Sequence, residues 1–191
     1  MPKARVIKKD LEYLLFSEIY HRFDDPKARR RAFSFIEVAI ECFSRKGFEN
    51  VTLELIAREA GVTRPLLRHY FHDLDDVREV AIKYIRLVFQ KVAIEAMGNG
   101  PSIRLMLVNY LEACFAWSKN SRTHARVWLA FLHLCYHKKN FRELNSKAVQ
   151  IGTERLTSLL EQGKATGEFN FFDAEKAAIL LQALITGALV S

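Results

Sequence analysis

A turn centred on Gly61 constrains this chain more than any other stretch of its sequence. Thr52 precedes a short amphipathic helical pattern, and its hydroxyl is suited to accept a backbone N–H at the helix start. Gly61 then supplies a tight turn, because glycine adopts positive φ without a Cβ clash. Thr63 opens a second short helix, and its hydroxyl is expected to accept the N–H of Leu66 because Pro65 has none. The pattern predicts a helix-turn-helix.

A longer helix is predicted before this pair, over residues 27–46, with its apolar residues on one face. Gly47 is expected to end that helix in the left-handed conformation, with Phe48 packed back on Phe43. The three helices together make a small domain in which the last helix is held out by the other two.

The helix after Gly61 separates its apolar and basic residues onto different faces. Leu67 and Phe71, four residues apart, face the core. Arg64, Arg68 and His69 then lie on the outside of the helix. A short helix held out by two others, with basic residues on its free face, predicts insertion into the major groove of DNA.

Composition favours an all-α fold. The 191 residues are 50% apolar and 27% charged, with four prolines, eight glycines and no alternating strand-like runs. A basic tail with an extra amphipathic helix is predicted over 1–26, the helix-turn-helix domain over 27–76 and an all-α body over 77–191. The net charge of +7 favours an acidic partner, but it is spread along the chain and is a weak argument alone.

The sequence gives no indication of secretion or of a membrane span. The apolar run near the start is interrupted by Glu12 and Glu18, unlike that of a signal peptide. The most apolar stretch, 177–190, is too short to cross a bilayer. Three cysteines without a CxxC pair suit buried thiols in a reducing compartment. We therefore expect a cytoplasmic protein that makes no membrane contact.

The body begins with a long connecting helix, predicted from about Leu74 to Met97. Helices over about 102–117 and 123–137 follow, and then two more over 144–163 and 174–190. The last helix is apolar on nearly all sides, so it needs more partners than one small domain supplies. We therefore expect a homodimer formed through the last two helices.

Aromatic residues at helical spacing in the body either line an effector cavity or build the core. The pocket candidates are Tyr110, Trp117, Trp128, Phe131 and His133. His133 and His137 stand four residues apart, which suits metal binding from one helical face, but two ligands do not make a site. We therefore predict no metal and no cofactor.

The run 51–63, continued by Tyr70-Phe71, resembles the DNA-binding signature of the TetR/AcrR family of transcriptional regulators. Ala39 and Phe43 in the preceding helix match that signature too, and the body matches the family in architecture alone. The resemblance implies a homodimer whose third helices enter the major groove of two half-sites. It also implies that the body binds a small effector, which changes the separation of the two reading helices.

Two positions depart from the family pattern. Arg68 stands where the family has a tyrosine that contacts phosphate, although arginine also contacts phosphate or guanine. Leu74 stands where the family has a lysine, with Asp73, Asp75 and Asp76 around it. These acids either weaken the contact with the DNA backbone or serve the N-terminus of the fourth helix, where acids are favoured.

The DNA contacts are predicted around the third helix and at the start of the first. The residues are Thr52, Thr63, Arg64, Pro65, Leu66, Arg68, His69, Tyr70, Arg29 and Arg30. Threonine hydroxyls and backbone N–H groups at a helix start are suited to bind phosphate. Basic residues at a helix start are disfavoured by the helix dipole, so their presence there indicates a phosphate contact. Tyr70 either reaches a phosphate or is a half-buried tyrosine, and His69 meets DNA or solvent.

These features predict a DNA-binding transcriptional regulator, in the first place a repressor released from its double-stranded operator by a small apolar or aromatic effector. Two alternatives stay open: a regulator with no small-molecule effector, and a helix-turn-helix dimer that has lost specific DNA binding. An enzyme is not expected, because the sequence has no Ser-His-Asp order, glycine-rich phosphate loop or paired-carboxylate motif.

Overall fold

The computed structural model describes residues 25–98, 101–170 and 173–188, and the regular structure in these ranges is entirely α-helical. The all-α prediction is therefore confirmed, whereas the predicted tail and amphipathic helix, up to residue 24, lie outside the described residues. The helices are α1 (Pro26–Lys46), α2 (Leu53–Glu59), α3 (Arg64–Tyr70), α4 (Leu74–Met97), α5 (Ile103–Asn120), α6 (Arg122–His137), α7 (Lys139–Ala165) and α8 (Ala174–Ala188).

The chain divides into two compact units. Among the described residues, the first unit comprises those up to Val88 together with Arg126–Phe131, and the second comprises those of Phe89–Ala125 and those from Leu132 onward. None of the described helices combines the length and the apolar character that crossing a lipid bilayer requires.

The core of the first unit is built on the apolar face of α1. Ile36 and Ala39 are 1% and 0% exposed. Tyr84 of α4 packs edge-on against Phe33 of α1, with ring centroids 5.3 Å apart. Because the early turns of α4 complete this core, the compact unit extends past residue 76, where the sequence placed the domain boundary.

Both ends of α1 are fixed by local interactions. The helix starts at Pro26, one residue earlier than expected, because the Asp25 carboxylate accepts two backbone N–H groups of the first turn at 3.0 and 3.2 Å. Gly47 ends it with a φ of 76°, positive as predicted, but its ψ of 162° lies outside the left-handed helical region. Phe48 packs on Phe43 as expected, with ring centroids 4.6 Å apart.

The core of the second unit lies among α5, α7 and α8, with the end of α4. Its buried members are Ala93, Leu107, Tyr110, Cys114, Leu156, Leu160, Ala178 and Ile185. On its other side α8 exposes Ile179, Leu180 and Leu184, which are 52%, 67% and 62% accessible. The apolar character of α8 on two sides is therefore confirmed.

The N-terminus of α5 is held by the turn between α7 and α8. The Glu168 carboxylate accepts the N–H groups of Ile103 and Arg104, both at 3.0 Å. Arg104 in turn donates to the Glu168 carbonyl at 2.6 Å, and its guanidinium lies 5.6 Å from the centre of the Phe169 ring. Gly163 permits this packing, because a Cβ there would collide with Phe169.

The helix α7 extends beyond its predicted bounds at both ends. It begins at Lys139 rather than at residue 144, and it ends at Ala165 rather than at 163. Phe141 explains the earlier start: its side chain is fully buried, so the first turn of α7 is fixed by packing that the local sequence pattern does not reveal.

Candidate nucleic-acid interface

The two short helices carry the caps predicted for them. The Thr52 hydroxyl accepts the N–H of Leu55 at 3.1 Å, and the Thr63 hydroxyl accepts the N–H of Leu66 at 3.4 Å. Between the helices Gly61 has a φ of +66°. The helix-turn-helix geometry follows from these local interactions, which fix where α3 begins and the direction in which it leaves the turn.

The helix α3 separates its faces as the sequence predicts. Leu67 is fully buried, as is Phe71 immediately after the helix. Arg64, Arg68 and His69 are exposed. Pro65 is exposed and Leu66 is half-buried. The free face of α3 therefore extends from Arg64 to Arg68, which lie one helical turn apart.

Tyr70 is packed inside the first unit. It is 5% exposed, and its ring meets that of Phe35 edge-on with centroids 5.2 Å apart. His69 approaches the same ring from the outside at 5.5 Å. Of the two interpretations from the sequence, the structure favours the tyrosine that packs within the domain.

The other predicted contacts lie at helix starts. Thr52 and Thr63 are exposed while their hydroxyls cap α2 and α3. Arg30 is exposed in the first turns of α1, and Arg29 beside it is half-buried. These positions suit contacts with phosphate, because N–H groups and positive charge are displayed together.

The acids at the start of α4 interact with that helix and its neighbours. The Asp76 carboxylate accepts the N–H of His72 at 2.9 Å, and the Asp73 carboxylate accepts the N–H of Asp76 at 2.8 Å. The Asp75 carboxylate pairs with Arg78 at 2.7 Å. All three acids therefore serve the N-terminus of α4, which was one of the two interpretations from the sequence.

Arg78 is an organising residue that the sequence reasoning missed. Besides its ion pair with Asp75, its guanidinium donates to the Phe48 carbonyl, 30 residues away, and lies 5.7 Å from the centre of the Phe48 ring. It thereby ties the start of α4 to the segment that follows α1. The sequence feature that could have indicated this role is the position of Arg78 three residues after Asp75, where the two side chains share a helical face.

The predicted pocket residues are divided between the two units. Tyr110 and Trp117 are each 2% exposed in the second unit, where Trp117 packs against Phe89 with ring centroids 5.2 Å apart. Trp128 and Phe131 belong to the first unit and contact each other at 5.1 Å.

His133 differs from the buried candidates in that its side chain is exposed on α6. Its ring packs edge-on against that of His137, with centroids 5.1 Å apart. Within the described ranges, no three His, Cys, Asp or Glu side chains lie together as a metal site requires. Burial raises the pKa of the Cys114 thiol to about 11, so this cysteine is a neutral core residue at physiological pH.

Two family models match the chain. The model described as bacterial regulatory proteins of the tetR family matches residues 35–79, which include α2, α3 and the start of α4. The model described as BetI-type transcriptional repressor, C-terminal, matches residues 104–191. The HTH-type transcriptional regulator BetI of Proteus mirabilis (strain HI4320) is 29% identical over 159 residues, covering 80% of this chain and 74% of that protein.

Solved structures share the fold. A putative transcriptional regulator from Pseudomonas aeruginosa PAO1 has a TM-score of 0.74 at 25% identity, covering 91% of this chain and 83% of that one. A putative transcriptional regulator from Saccharomonospora viridis, determined in complex with choline, has a TM-score of 0.74 at 24% identity, covering 85% and 83%. The two family models span more than half of the sequence, and the chain belongs to the TetR/AcrR family of helix-turn-helix transcriptional regulators.

Proposed function

We propose that this regulator is a repressor that binds a double-stranded operator as a homodimer and leaves it when a small effector binds in the second unit. The observation that carries the proposal is the free face of α3, where Arg64, Arg68 and His69 are exposed while Leu67 anchors the helix. Side chains on such a face read base edges in the major groove, and arginine does so with two hydrogen bonds to guanine.

Contacts with phosphate set the position of this helix on the duplex. Thr52 and Thr63, exposed at the starts of α2 and α3, are proposed to contact phosphate together with Arg29 and Arg30 of α1. Tyr70 takes part through its hydroxyl alone, because its ring is buried against Phe35.

The homodimer is proposed to form through α7 and α8. Ile179, Leu180 and Leu184 form an exposed apolar strip on α8, and Val149 and Ile151 of α7 are each 37% exposed. An exposed apolar strip such as that of α8 indicates a protein interface. A two-fold dimer presents two copies of α3, which matches an operator with two half-sites.

The effector is proposed to be small, with an apolar or aromatic body, and to bind in the second unit among residues such as Tyr110 and Trp117. Release requires that the effector bind the DNA-free conformation more tightly than the DNA-bound one. The helix α4 is suited to transmit this conformational change, because it is continuous from Leu74, just after the helix-turn-helix, to Met97 in the second unit.

The test is binding of the purified protein to labelled DNA from the region upstream of its own gene, at one fixed salt concentration. We expect Arg64→Ala and Arg68→Ala each to weaken binding roughly ten- to a hundredfold, because a bidentate arginine–guanine contact is lost. Arg122→Ala is the matched control: Arg122 is exposed at the start of α6, outside the helix-turn-helix, and its loss removes the same charge.

Equal binding by wild type, R64A and R68A would show that α3 is not the reading helix. A similar loss in R122A would mean that the contacts with DNA are non-specific, because binding then depends on total charge.

A further inference from the structure

The helix α4 is attached to the helix-turn-helix at the end of α3. Three residues separate Tyr70, the last of α3, from Leu74, the first of α4. Phe71 is fully buried, and the Asp76 carboxylate of α4 accepts the N–H of His72 at 2.9 Å. A single attachment of this kind leaves α2 and α3 able to turn about it unless other contacts oppose the rotation.

Arg78 attaches α4 to the other end of the helix-turn-helix. Its guanidinium donates to the Phe48 carbonyl and lies 5.7 Å from the centre of the Phe48 ring. Phe48 stands four residues before Thr52, whose hydroxyl caps α2. The helix-turn-helix is therefore held by α4 both where the chain enters α2 and where it leaves α3.

The contact between Arg78 and Phe48 has little freedom to move. The Arg78 side chain is 12% exposed, and its Nη1 donates to the Asp75 carboxylate of the same helix at 2.7 Å. Phe48 is 3% exposed, with its ring 4.6 Å from that of Phe43 in α1. A guanidinium is planar, so hydrogen bonds from both Nη atoms fix its plane, and bonds from a charged donor are short and directional. Apolar packing has no such directionality.

We propose that Arg78 is a positioning residue for operator recognition. By tying the entry of α2 to α4, it fixes the angle at which α3 is presented, and thereby the spacing of the two copies of α3 in the homodimer. The homodimer and its operator rest on the proposed function. The link to the dimer is α4 itself, which continues to Met97 in the second unit, through which the homodimer is proposed to form.

The spacing between the two half-sites of the operator distinguishes positioning from stabilisation of the fold. One base pair added or removed between the half-sites shifts them by about 3.4 Å and rotates them by about 34°. Two copies of α3 held at a fixed angle fit one spacing, whereas copies that turn about a single attachment fit several. A residue that only stabilises the fold changes the affinity for every spacing by the same factor.

The experiment compares three DNA duplexes. The first is the segment upstream of the protein's own gene that the wild type protects from DNase I, and the others have one base pair inserted or deleted at its centre. Fluorescence anisotropy at one salt concentration gives the dissociation constants. For the wild type we expect a loss of affinity of about tenfold or more on each altered duplex, because one copy of α3 no longer meets its half-site in register.

Two variants test Arg78. Arg78→Gln is expected to reduce this spacing penalty to about threefold or less, because the charged fork that holds Phe48 is lost. Arg78→Lys keeps a charged donor without the planar fork, so its penalty should lie between those of R78Q and wild type. Lys83→Gln is the matched control: Lys83 pairs with Glu79 within α4 at 2.6 Å, and its loss should leave the wild-type penalty unchanged.

Hydrogen exchange of the protein without DNA tests the attachment itself. The amides of Leu55 and Ile56 are bonded to Thr52 in the first turn of α2, at 3.1 Å each. We expect these amides to exchange about tenfold faster in R78Q than in wild type, because the segment that enters α2 is released from α4. In K83Q they should exchange as in wild type.

The proposal is overturned if R78Q keeps the wild-type spacing penalty, if R78Q loses affinity equally on all three duplexes, or if exchange of Leu55 and Ile56 is unchanged in R78Q. Where R78Q does not fold, R78K carries the same comparisons. A wild type that protects no DNA contradicts the proposed repressor, and exchange then decides by itself whether Arg78 holds the entry of α2.

Discussion

At residue scale, Gly61 shows how a single position fixes the direction of α3 in the helix-turn-helix. Its φ is +66°, and a Cβ built there would meet no atom within 4 Å. Space therefore does not exclude a side chain, and the requirement for glycine comes from the backbone conformation alone. The direction of α3, and with it the exposure of Arg64 and Arg68, follows from this turn.

We expect Gly61→Ala to lower the free energy of unfolding by about 1–2 kcal/mol, the cost of the left-handed conformation for an L-residue. Urea unfolding followed by circular dichroism measures it. Gly61→Asn is the matched control, because asparagine tolerates this conformation better than alanine, and it should cost less. Equal losses in the two variants would contradict the assignment of the glycine requirement to φ.

At the scale of elements, the contact between the start of α5 and the turn after α7 is the clearest case of one helix holding another. The Glu168 carboxylate accepts two N–H groups that α5 cannot satisfy internally. The backbone N–H groups of Arg104 and Ile103 hold the pKa of Glu168 below its usual value of 4.5. The charged form is therefore favoured in the folded protein.

This lowered pKa predicts a pH-dependent effect of Glu168→Gln. A carboxylate with a depressed folded-state pKa stabilises the protein above its unfolded pKa, and the contribution is lost as pH falls through the folded pKa. We expect E168Q to melt at a lower temperature than wild type near neutral pH, with the difference shrinking in acid below the usual value of 4.5.

Glu161→Gln serves as the control, because Glu161 is an exposed residue of α7, and its melting temperature should follow that of wild type. A difference between E168Q and wild type that stays constant with pH would assign the role of Glu168 to packing and not to charge.

At the scale of the whole molecule, the exposed strip of α8 is the surface through which the proposed homodimer brings two copies of α3 together. Leu180 and Leu184 are 67% and 62% exposed and lie one helical turn apart. Neighbouring leucines with this exposure in a single subunit indicate a protein interface. A single helix-turn-helix contacts one half-site of the operator, so specific affinity for the operator depends on the dimer.

We expect the double variant Leu180→Glu and Leu184→Glu to be monomeric by light scattering at micromolar concentration, because charged groups in a buried apolar interface are strongly unfavourable. Its operator affinity should fall well below that of wild type. Leu129→Glu is the matched control, since Leu129 on α6 is 47% exposed and should leave the dimer intact. A double variant that remains dimeric would place the interface elsewhere.

The sequence predicts the DNA-binding helices well because their determinants are local. The caps Thr52 and Thr63 bind N–H groups three residues ahead, and Gly61 needs only its own backbone conformation. The separation of Leu67 from Arg64 and Arg68 follows from helical periodicity alone. For the effector region the sequence supplies only aromatic residues at helical spacing, and these proved to be divided between two units.

By itself, then, the sequence determined the helix-turn-helix and its outward basic face, since the caps and the separation of the two faces of α3 depend on residues no more than four apart. Only the tertiary structure decided that Tyr70 is buried, that Arg78 binds the Phe48 carbonyl 30 residues away, and that Glu168 caps a helix 65 residues before it. Such partners are joined by packing of whole helices, which no local periodicity encodes.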